Sequence, residues 1–264
     1  MDSMQMSFLN PCDSSRFEMI RDYFKKIGIL LSNRQTEQFL RYYHLLIEKN
    51  QVMNLTAITD FEEVVLKHFI DSVLAASCSV SISGLDFSLD SSCSYSVIDV
   101  GTGAGFPGIP LKIVFPELRV VLLDSLNKRV RFLNEVVECL ELHNISAVHS
   151  RAEDAARNPG YRETFDICVS RAVANLSSLA EYCLPFVRQK GFFLSYKSAD
   201  VEEECEAAKT AIHLLGGKIS QIEKAVLPGT EIERSFVVIR KEKRTSNQYP
   251  RKAGIPSKNP LSSR

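Results

Sequence analysis

The spacing of apolar residues predicts two amphipathic helices in the first third of the chain. The first helix carries a single stripe at intervals of three and four residues, formed by Phe39, Tyr42, Tyr43, Leu46 and Ile47. A second helix is expected after Thr59, because Thr59-Asp60-Phe61-Glu62 fits a capping box. Its stripe consists of Phe61, Val64, Val65, His68 and Phe69. Residues 1–76 are therefore expected to form an N-terminal helical extension.

The apolar pattern stops between residues 77 and 96, where nine of the twenty residues are serine. A stretch of small polar residues without periodicity is typical of a surface loop or linker. We therefore expect a serine-rich loop at 77–95, a folded domain at 96–244 and a separate C-terminal tail at 245–264.

From Ser96 onwards the pattern changes to an alternation of strands and helices. Apolar runs predict strands at Ser96–Val100, Arg119–Asp124, Ala147–Ser150, Phe165–Ser170, Gly191–Lys197, Lys218–Val226 and Arg234–Lys241. Helical patterns lie between the earlier runs, at Asn127–Leu142, Asn175–Gln189 and Val201–Leu215. This alternation predicts an α/β fold with a seven-stranded, mostly parallel sheet and helices on both faces. Because no long helix separates the last two strands, we expect one antiparallel strand at the sheet edge.

Composition argues against a membrane protein, a secreted protein and a metal-binding protein. Apolar residues make up 45% and charged residues 24%, and no run approaches the ~20 apolar residues of a membrane span. The first sixteen residues lack the apolar stretch of a secretory signal. The seven cysteines are odd in number and contain no C-x-x-C pair, which predicts reduced thiols rather than disulfides or zinc. We expect a cytoplasmic protein without a metal.

The charges are distributed unevenly although the net charge is zero. Residues 234–264 contain nine basic residues and one acid, so the remainder contains 23 basic and 31 acidic residues. A basic C-terminus on an acidic body is typical either of a protein that binds a polyanion or of a solvated tail. Charge alone does not separate these two interpretations. Pro256 and Pro260 predict that the tail is irregular rather than helical.

A glycine-rich loop follows the first predicted strand. Its sequence from residue 101 is Gly-Thr-Gly-Ala-Gly-Phe-Pro-Gly. Glycines at this position let backbone N–H groups approach a ligand, and the following helix adds its positive end. Pro107 suits the first position of that helix. Gly101-x-Gly103-x-Gly105 is similar to S-adenosylmethionine loops, but Gly103-x-Gly105-x-x-Gly108 also matches the dinucleotide fingerprint.

An acidic residue at the end of the strand favours the first of these cofactors. Asp99 directly precedes the loop, and its carboxylate suits the sulfonium and ammonium groups of S-adenosylmethionine. The same carboxylate would repel a dinucleotide pyrophosphate. Asp124 ends the second strand, 23 residues after Gly101, and is expected to accept ribose hydroxyls or to cap the next helix. Because both cofactors contain a ribose, Asp124 does not distinguish them.

Further polar residues follow the third, fourth and fifth predicted strands. Since the carboxyl ends of parallel strands line one crevice, Ala152 and Glu153 are expected to face an adenine. Arg171 follows an apolar strand, where an arginine is unusual unless it meets an anion. That anion is the cofactor carboxylate, a substrate phosphate, or a structural partner such as Asp99 or Glu153. Lys197 ends the fifth strand in a similar place.

Taken together, these segments resemble the small-subunit (16S) ribosomal RNA guanine-N7 methyltransferase family, also called glucose-inhibited division protein B or RNA methyltransferase G. The resemblance spans roughly Phe39 to Leu261. Its matching segments are Asn54-Leu55-Thr56, His68 with Asp71-Ser72, Asp99–Leu111, Leu123–Leu133, Arg151–Glu153, Ser170–Val173 and Arg251–Leu261. The serine-rich stretch is longer than is usual in the family. The resemblance implies a class I, Rossmann-like S-adenosylmethionine-dependent methyltransferase domain at 96–244.

The resemblance also implies an activity, which is methyl transfer from S-adenosylmethionine to N7 of one specific guanine in the decoding-region loop of 16S rRNA. It implies cofactor contacts at Gly101, Phe106, Ala152, Glu153 and Arg171. With the residues reasoned above, the expected cofactor-binding set is Asp99, Gly101, Gly103, Gly105, Phe106, Asp124, Ala152, Glu153 and Arg171. Guanine N7 keeps an available lone pair, so we expect no general base; alignment should dominate, with Arg171 in support.

The expected partner is the small ribosomal subunit, bound by a monomer. Phosphate contacts are expected from Lys128, Arg129, Arg131, Lys197, Arg251 and Lys252. Phe106 is expected either to stack on the target base or to pack against the cofactor. Two alternative functions stay open from the sequence, an NAD-type oxidoreductase and a non-catalytic ribosome-assembly or RNA-binding factor.

Overall fold

The computed structural model of this chain describes residues 11–77, 94–171 and 174–261. The serine-rich loop expected at 77–95 falls outside these ranges, apart from residues 77, 94 and 95. The strands are β1 (Ser96–Val100), β2 (Arg119–Asp124), β3 (Ile145–His149), β4 (Phe165–Ser170), β5 (Val187–Lys197), β6 (Gly217–Val226) and β7 (Glu233–Lys241). They form one seven-stranded sheet in the order β3-β2-β1-β4-β5-β7-β6.

Helices cover both faces of this sheet. The long ones are α1 (Pro11–Lys26), α2 (Asn33–Met53), α6 (Asn127–Cys139) and α9 (Glu202–Leu214). The shorter ones are α3 (Phe61–Val64), α4 (Asp71–Ser77), α5 (Gly108–Val114), α7 (Ala152–Ala155), α8 (Leu176–Cys183) and α10 (Ile255–Lys258). A π-helical segment at Val65–Ile70 joins α3 to α4, and a 3-10 turn at Leu184–Phe186 follows α8.

The sheet is mostly parallel, which confirms the predicted α/β class. β1 pairs in parallel with β2 and β4, and β7 runs antiparallel to both β5 and β6. The prediction that the antiparallel strand lies at the edge was wrong, because β7 lies between β5 and β6. Five consecutive residues of β7, from Ser235 to Ile239, are buried, whereas β6 alternates between partly buried and exposed positions. A continuous buried run is typical of a strand covered on both faces in the middle of a sheet, and an alternating pattern is typical of a strand with one solvated face.

Two predicted boundaries fail for identifiable local reasons. The helix expected at Asn175–Gln189 ends at Cys183, because Pro185 lacks an N–H and its ring clashes with the preceding turn. The residues from Val187 onwards join β5 instead. The capping box expected at Thr59 is also displaced, since the Asp60 side chain accepts the Glu63 N–H at 3.0 Å.

Other boundaries differ by a few residues. The third strand begins at Ile145 rather than Ala147 and ends at His149 rather than Ser150. The fifth and sixth strands begin earlier than expected, and α6 ends at Cys139 rather than Leu142. The tail is irregular as expected, except for the single turn of α10.

The helical N-terminal segment packs against one face of the sheet together with α5 and α6. Its largest buried side chains are aromatic, and Phe39, Tyr42 and Phe69 have no exposed surface. A second core cluster, built from α8 and α9, covers the opposite face. α2 ends at Asn54, which adopts a left-handed conformation with φ 51° and donates its backbone N–H to Asn50. The Asn54-Leu55-Thr56 segment therefore has a structural role as the exit from α2.

Candidate cofactor and RNA site

The glycine loop folds tightly over the carboxyl end of β1. The backbone N–H groups of Gly101 and Thr102 both donate to the carbonyl of Leu123, at 2.9 and 3.2 Å. Gly105 has a φ of +104°, and a Cβ there would lie 2.4 Å from Ile109 Cδ1 and 2.6 Å from the Tyr42 hydroxyl oxygen. A side chain at this position is therefore excluded both by conformation and by space.

Two features of the loop differ from expectation. Pro107 is the cap that precedes α5, and Gly108 occupies the first helical position. Gly105 is buried beneath the loop, so it shapes the loop without reaching the crevice. Gly103 is partly exposed, and its N–H donates to Asp124 Oδ2 at 2.9 Å.

Asp99 lies behind the glycine loop rather than facing the crevice. Its side chain has no exposed surface, and Oδ2 accepts the Thr102 hydroxyl at 2.6 Å and the Gly108 N–H at 2.8 Å. Burial raises the pKa of Asp99 to about 6, although both of these hydrogen bonds oppose the rise. The sequence led us to expect a direct contact between this carboxylate and a positively charged cofactor, but in the structure the carboxylate is buried and faces the loop backbone. Asp99 holds the loop to the start of α5.

Asp124 is the second acid of the loop region and is also nearly buried. Its Oδ1 accepts the Leu126 N–H at 2.8 Å, while Oδ2 accepts the Gly103 N–H and lies 3.5 Å from Arg129 Nη1. Asp124 therefore ties the glycine loop to the start of α6. The residues on either side of it, Leu123 and Ser125, line the crevice.

A cavity of about 420 Å³ opens at the carboxyl ends of β1, β2 and β3. Its volume lies within the ~300–1,000 Å³ range of small-molecule pockets. Of the expected cofactor residues, Gly101, Ala152 and Glu153 line it. The other lining residues are Val100, Leu123, Ser125, Ser150, Arg151, Ala174, Leu179, Tyr182, Gly254 and Ser257.

The C-terminal tail supplies part of this cavity, which the sequence did not predict. Gly254 and Ser257 lie in its wall, and the Gly254 N–H donates to Glu153 Oε1 at 2.8 Å. Arg251 was expected to bind RNA phosphate, but its guanidinium donates to both carboxylate oxygens of Glu181, through Nε at 3.0 Å and Nη2 at 2.7 Å. The Glu181 side chain has no exposed surface. Arg251 therefore has a buried structural partner, which leaves its guanidinium less available to a phosphate than its charge indicated.

A second cavity, of about 600 Å³, adjoins the first at Ala174, which lines both. Arg171 lies in its wall and pairs with neither Asp99 nor Glu153. Its Nη1 donates to Asp71 Oδ2 at 3.1 Å, and Arg234 Nε donates to Asp71 Oδ1 at 2.7 Å. One nearly buried carboxylate thus holds two guanidinium groups at the cavity wall. Lys67 and Lys197 also line this cavity.

An aromatic stack lies beside Arg171. The rings of His68 and Phe106 have centroids 4.6 Å apart and planes 17° apart, and Arg171 Cζ lies 5.0 Å from the Phe106 centroid. Phe106 is only 6% exposed, so stacking on a target base would require it to leave this packing. His68 is packed as its apolar stripe indicated, yet it also lines the second cavity.

His68 is held in its neutral form. Burial, and then the positive charge of Arg171, lower its pKa to about 3. Arg171 Nη2 lies 3.4 Å from Nδ1 and can only donate, so the ring proton is assigned to Nε2, 2.8 Å from Thr56 Oγ1. Thr56, from the Asn54-Leu55-Thr56 segment, therefore orients this imidazole.

The remaining basic residues expected to bind RNA differ in availability. Lys197 is mostly buried, and its Nζ donates to Glu204 at 2.7 Å and to the carbonyl of Ala174 at 2.9 Å. Lys128 and Arg131 at the start of α6 are exposed, and so is Lys252 in the tail. Arg129 is partly exposed beside Asp124.

Sequence reasoning missed several residues of the site. Asp71 and Arg234 escaped because each lies far along the chain from Arg171, on α4 and β7. Tyr42 was recognised only as part of an apolar stripe, although its hydroxyl donates to the carbonyl of Ala104 in the glycine loop. One signal was available: Asp71 stands in an otherwise apolar run, where a carboxylate requires a cationic partner.

In the part of the chain that the structure describes, no helix is long and apolar enough to span a bilayer. Within the same ranges, no three His, Cys, Asp or Glu side chains are grouped so that they could hold a metal ion.

Comparison with known proteins gives a consistent result. The family described as rRNA small subunit methyltransferase G matches residues 35–235. The chain is 52% identical to the ribosomal RNA small subunit methyltransferase G of Lachnoclostridium phytofermentans, over 90% of this chain and 94% of that protein. It is also 52% identical to the protein of that name from Acetivibrio thermocellus, over 89% and 92% of the two chains. The protein of that name from Oceanobacillus iheyensis is 49% identical, over 90% and 95%.

Proposed function

The chain belongs to the rRNA small subunit methyltransferase G family, and from this premise we propose that it transfers the methyl group of S-adenosylmethionine to N7 of a specific guanine in 16S rRNA. The observation that carries the proposal is the pair of adjoining cavities at the carboxyl ends of the strands. One is lined by Gly101, the first residue of the glycine loop, and the other by a cluster of basic side chains. A small positively charged cofactor and an anionic substrate would meet where the cavities join, at Ala174.

The first cavity fits the cofactor in size and in chemistry. Glu153 lies in its wall, and the Gly254 N–H fixes its carboxylate at 2.8 Å. Gly101, with a φ of +74°, puts no side chain into the space at the end of β1. When bound, S-adenosylmethionine would supply an electrophilic methyl group. Ala152 and Glu153 would hold the adenine side, and Asp124 would keep the loop in place.

The second cavity fits a target guanine between backbone phosphates. Four basic residues line it, namely Lys67, Arg171, Lys197 and Arg234, against the two acids Asp71 and Glu204. The excess of positive charge favours a phosphate in a partly enclosed space. A single base must leave its stack to enter such a cavity.

The residues of this cavity support alignment rather than proton transfer. Guanine N7 is a neutral lone pair, so its attack requires no base. With its pKa near 3, His68 carries no charge at neutral pH, and it therefore adds no repulsion to a positively charged methyl donor. Arg171, fixed by Asp71, is proposed to hold the substrate so that N7 faces the methyl group. Correct orientation alone can supply up to ~7–11 kcal/mol.

Three further expectations belong to this proposal. Lys128, Arg131 and Lys252, with Arg129, would contact phosphates outside the cavity. We propose that the protein acts as a monomer. The substrate is found in the cytoplasm, and we place the reaction there. We do not propose an NAD-type oxidoreductase or a non-catalytic factor, because relatives matching most of the chain bear methyltransferase names.

The test maps N7-methylguanine in 16S rRNA from cells with and without the protein. Borohydride reduction followed by aniline cleaves RNA at this modified base, and primer extension locates the cut. We expect one cut to disappear without the protein and to return with the wild-type gene but not with Arg171→Ala. An unchanged set of cuts in cells that lack the protein would refute the proposal.

A further inference from the structure

We propose that residues 249–261, called here the C-terminal strap, form a wall of the cofactor pocket and set its affinity, with the Arg251–Glu181 pair as the clamp that holds the strap in place. The inference rests on the proposed placement of the cofactor in the cavity of about 420 Å³. It assigns to this basic segment a role in cofactor binding in place of the RNA contact that its charge indicated.

The strap is attached to the methyltransferase domain by specific contacts rather than by general charge attraction. The Arg251 backbone N–H donates to Glu181 Oε1 at 2.7 Å, in addition to the two guanidinium bonds. Ser178, one helical turn earlier on α8, donates its hydroxyl to the carbonyl of Pro256 at 2.7 Å. Arg162 holds the beginning of the strap by donating to the carbonyl of Tyr249 at 2.9 Å.

The Glu181 carboxylate makes this attachment strong. It has no exposed surface, and its neighbours on α8 include the buried apolar residues Leu179, Ala180 and Cys183. A carboxylate removed from water is stable only when it is paired and hydrogen-bonded. Because Arg251 supplies that pairing from the strap, undocking the strap would leave Glu181 without a partner. The docked position is therefore strongly preferred.

The docked strap contacts the part of the cavity where the adenine is expected. Gly254 and Ser257 face the same space as Gly101 and Ala152. The Gly254 N–H donates to Glu153 Oε1 at 2.8 Å, so the strap also fixes the carboxylate of the adenine side. Gly254 has a φ of +80°, which glycine adopts without strain where the strap turns into α10.

A ligand that contacts both walls of a pocket binds only when both walls are in place. Its affinity then falls by the fraction of molecules in which the strap is undocked. By reciprocity, a bound ligand must hold the strap more firmly against α8. Docking of the strap and binding of the cofactor are therefore thermodynamically coupled, and a change in one must appear in the other.

The experiment measures binding of S-adenosylhomocysteine to the full-length protein by calorimetry. Arg251→Ala is expected to weaken binding at least tenfold. Lys258→Ala, which removes the same charge from an exposed position on the strap, is expected to change it less than twofold. In the wild type, saturating S-adenosylhomocysteine should slow amide hydrogen exchange of the peptide that contains Gly254. Wild-type affinity in Arg251→Ala, or equal losses in the two variants, would overturn the inference.

Two further variants keep the result interpretable. Ser257→Phe leaves the Arg251–Glu181 pair intact but places bulk at the cavity wall, so it should weaken binding without lowering the Tm even if Arg251→Ala destabilises the fold. Unchanged affinity of Ser257→Phe for S-adenosylhomocysteine would contradict the inference that the strap forms a wall of the cofactor pocket. Ala152→Phe tests the cofactor placement itself from the opposite wall. If Ala152→Phe abolishes binding while Arg251→Ala and Ser257→Phe bind normally, the cofactor placement stands and the strap inference fails. If Ala152→Phe binds normally, the cofactor placement fails.

Discussion

His68 gives a direct physical test of the site, because its environment makes folding stability depend on pH. The pKa of an unperturbed histidine is 6.5, and burial beside Arg171 lowers that of His68 to about 3. A group whose folded-state pKa is depressed contributes stability that is fully present above its unfolded pKa and is lost as the pH falls below it. At 1.36 kcal/mol per pKa unit, titration of His68 should lower the free energy of unfolding by about 2 kcal/mol when the pH falls from 7 to 5.

The perturbation is His68→Phe, which keeps an aromatic ring against Phe106 and cannot titrate. Urea unfolding at pH 7, 6 and 5 gives the free energy of unfolding of both proteins. From pH 7 to pH 5, the free energy of unfolding of the wild type should fall by about 2 kcal/mol more than that of the variant. Asp99 acts in the opposite direction, since its raised pKa of about 6 makes the folded protein bind a proton more tightly. Asp99 is present in both proteins, so its contribution cancels when the free energy of unfolding of the variant is subtracted from that of the wild type.

Nuclear magnetic resonance of the His68 ring supplies an independent measurement. The Cε1–H shift of His68 should not titrate above pH 5. Parallel pH profiles of unfolding for the wild type and His68→Phe would refute the argument, and so would a His68 titration near pH 6.5. Either result would mean that water reaches the imidazole freely and that Arg171 is not held beside it.

Three more predictions follow from the two cavities and the loop. Asp71→Asn keeps the shape of the side chain but removes the charge that fixes Arg171, so methyl transfer should fall about tenfold or more while the calorimetric affinity for the cofactor changes little. Equal losses of methyl transfer and of cofactor affinity would contradict the assignment of Asp71 to the substrate cavity. Gly105→Ala places a Cβ 2.4 Å from Ile109, which should destabilise the protein by about 1–3 kcal/mol in thermal unfolding; a wild-type Tm would contradict the loop geometry. Lys128→Ala with Arg131→Ala should reduce the log–log salt dependence of RNA binding by up to about two units and spare cofactor affinity, and an unchanged slope would exclude both contacts.

The parts of the fold that the sequence predicted are those specified locally. The observed bounds of β1, β2 and β4 are those predicted, because each strand is a mostly apolar run with a clear local end: β1 stops at the glycine loop, β2 ends in Asp124 and β4 ends in Ser170. The glycine loop was located for the same reason, since three positions require positive φ. The position of β7 inside the sheet was missed because it depends on pairing between segments, which a single apolar run does not reveal.

Within the site, the sequence indicated which residues are unusual but not which partners they have. Arg171 was recognised as an arginine in need of an anion, and that requirement is met by Asp71, one hundred positions earlier on α4. Asp99 was recognised as an acid at a strand end, yet its oxygen turns towards Thr102 and Gly108. Both outcomes depend on tertiary packing, because a carboxylate accepts whichever donors the fold brings within reach.

The basic C-terminus shows how counting charges can mislead about a binding surface. Three of its nine positive charges are paired with acids inside the fold: Arg234 with the nearly buried Asp71, the buried Lys241 with the partly exposed Glu163, and Arg251 with the buried Glu181. A buried acid needs a cation, so each acid in an apolar helix or strand removes one basic residue from the charge that RNA can meet. In the described part of this segment, the exposed positive charge belongs to Arg240, Lys243, Arg244, Lys252 and Lys258, and Glu242 is an exposed acid among them. An RNA-binding surface should therefore be judged from the positive charge that remains after such pairs are removed, and here that removal takes Arg251 out of the free charge and leaves it as the proposed clamp of the strap.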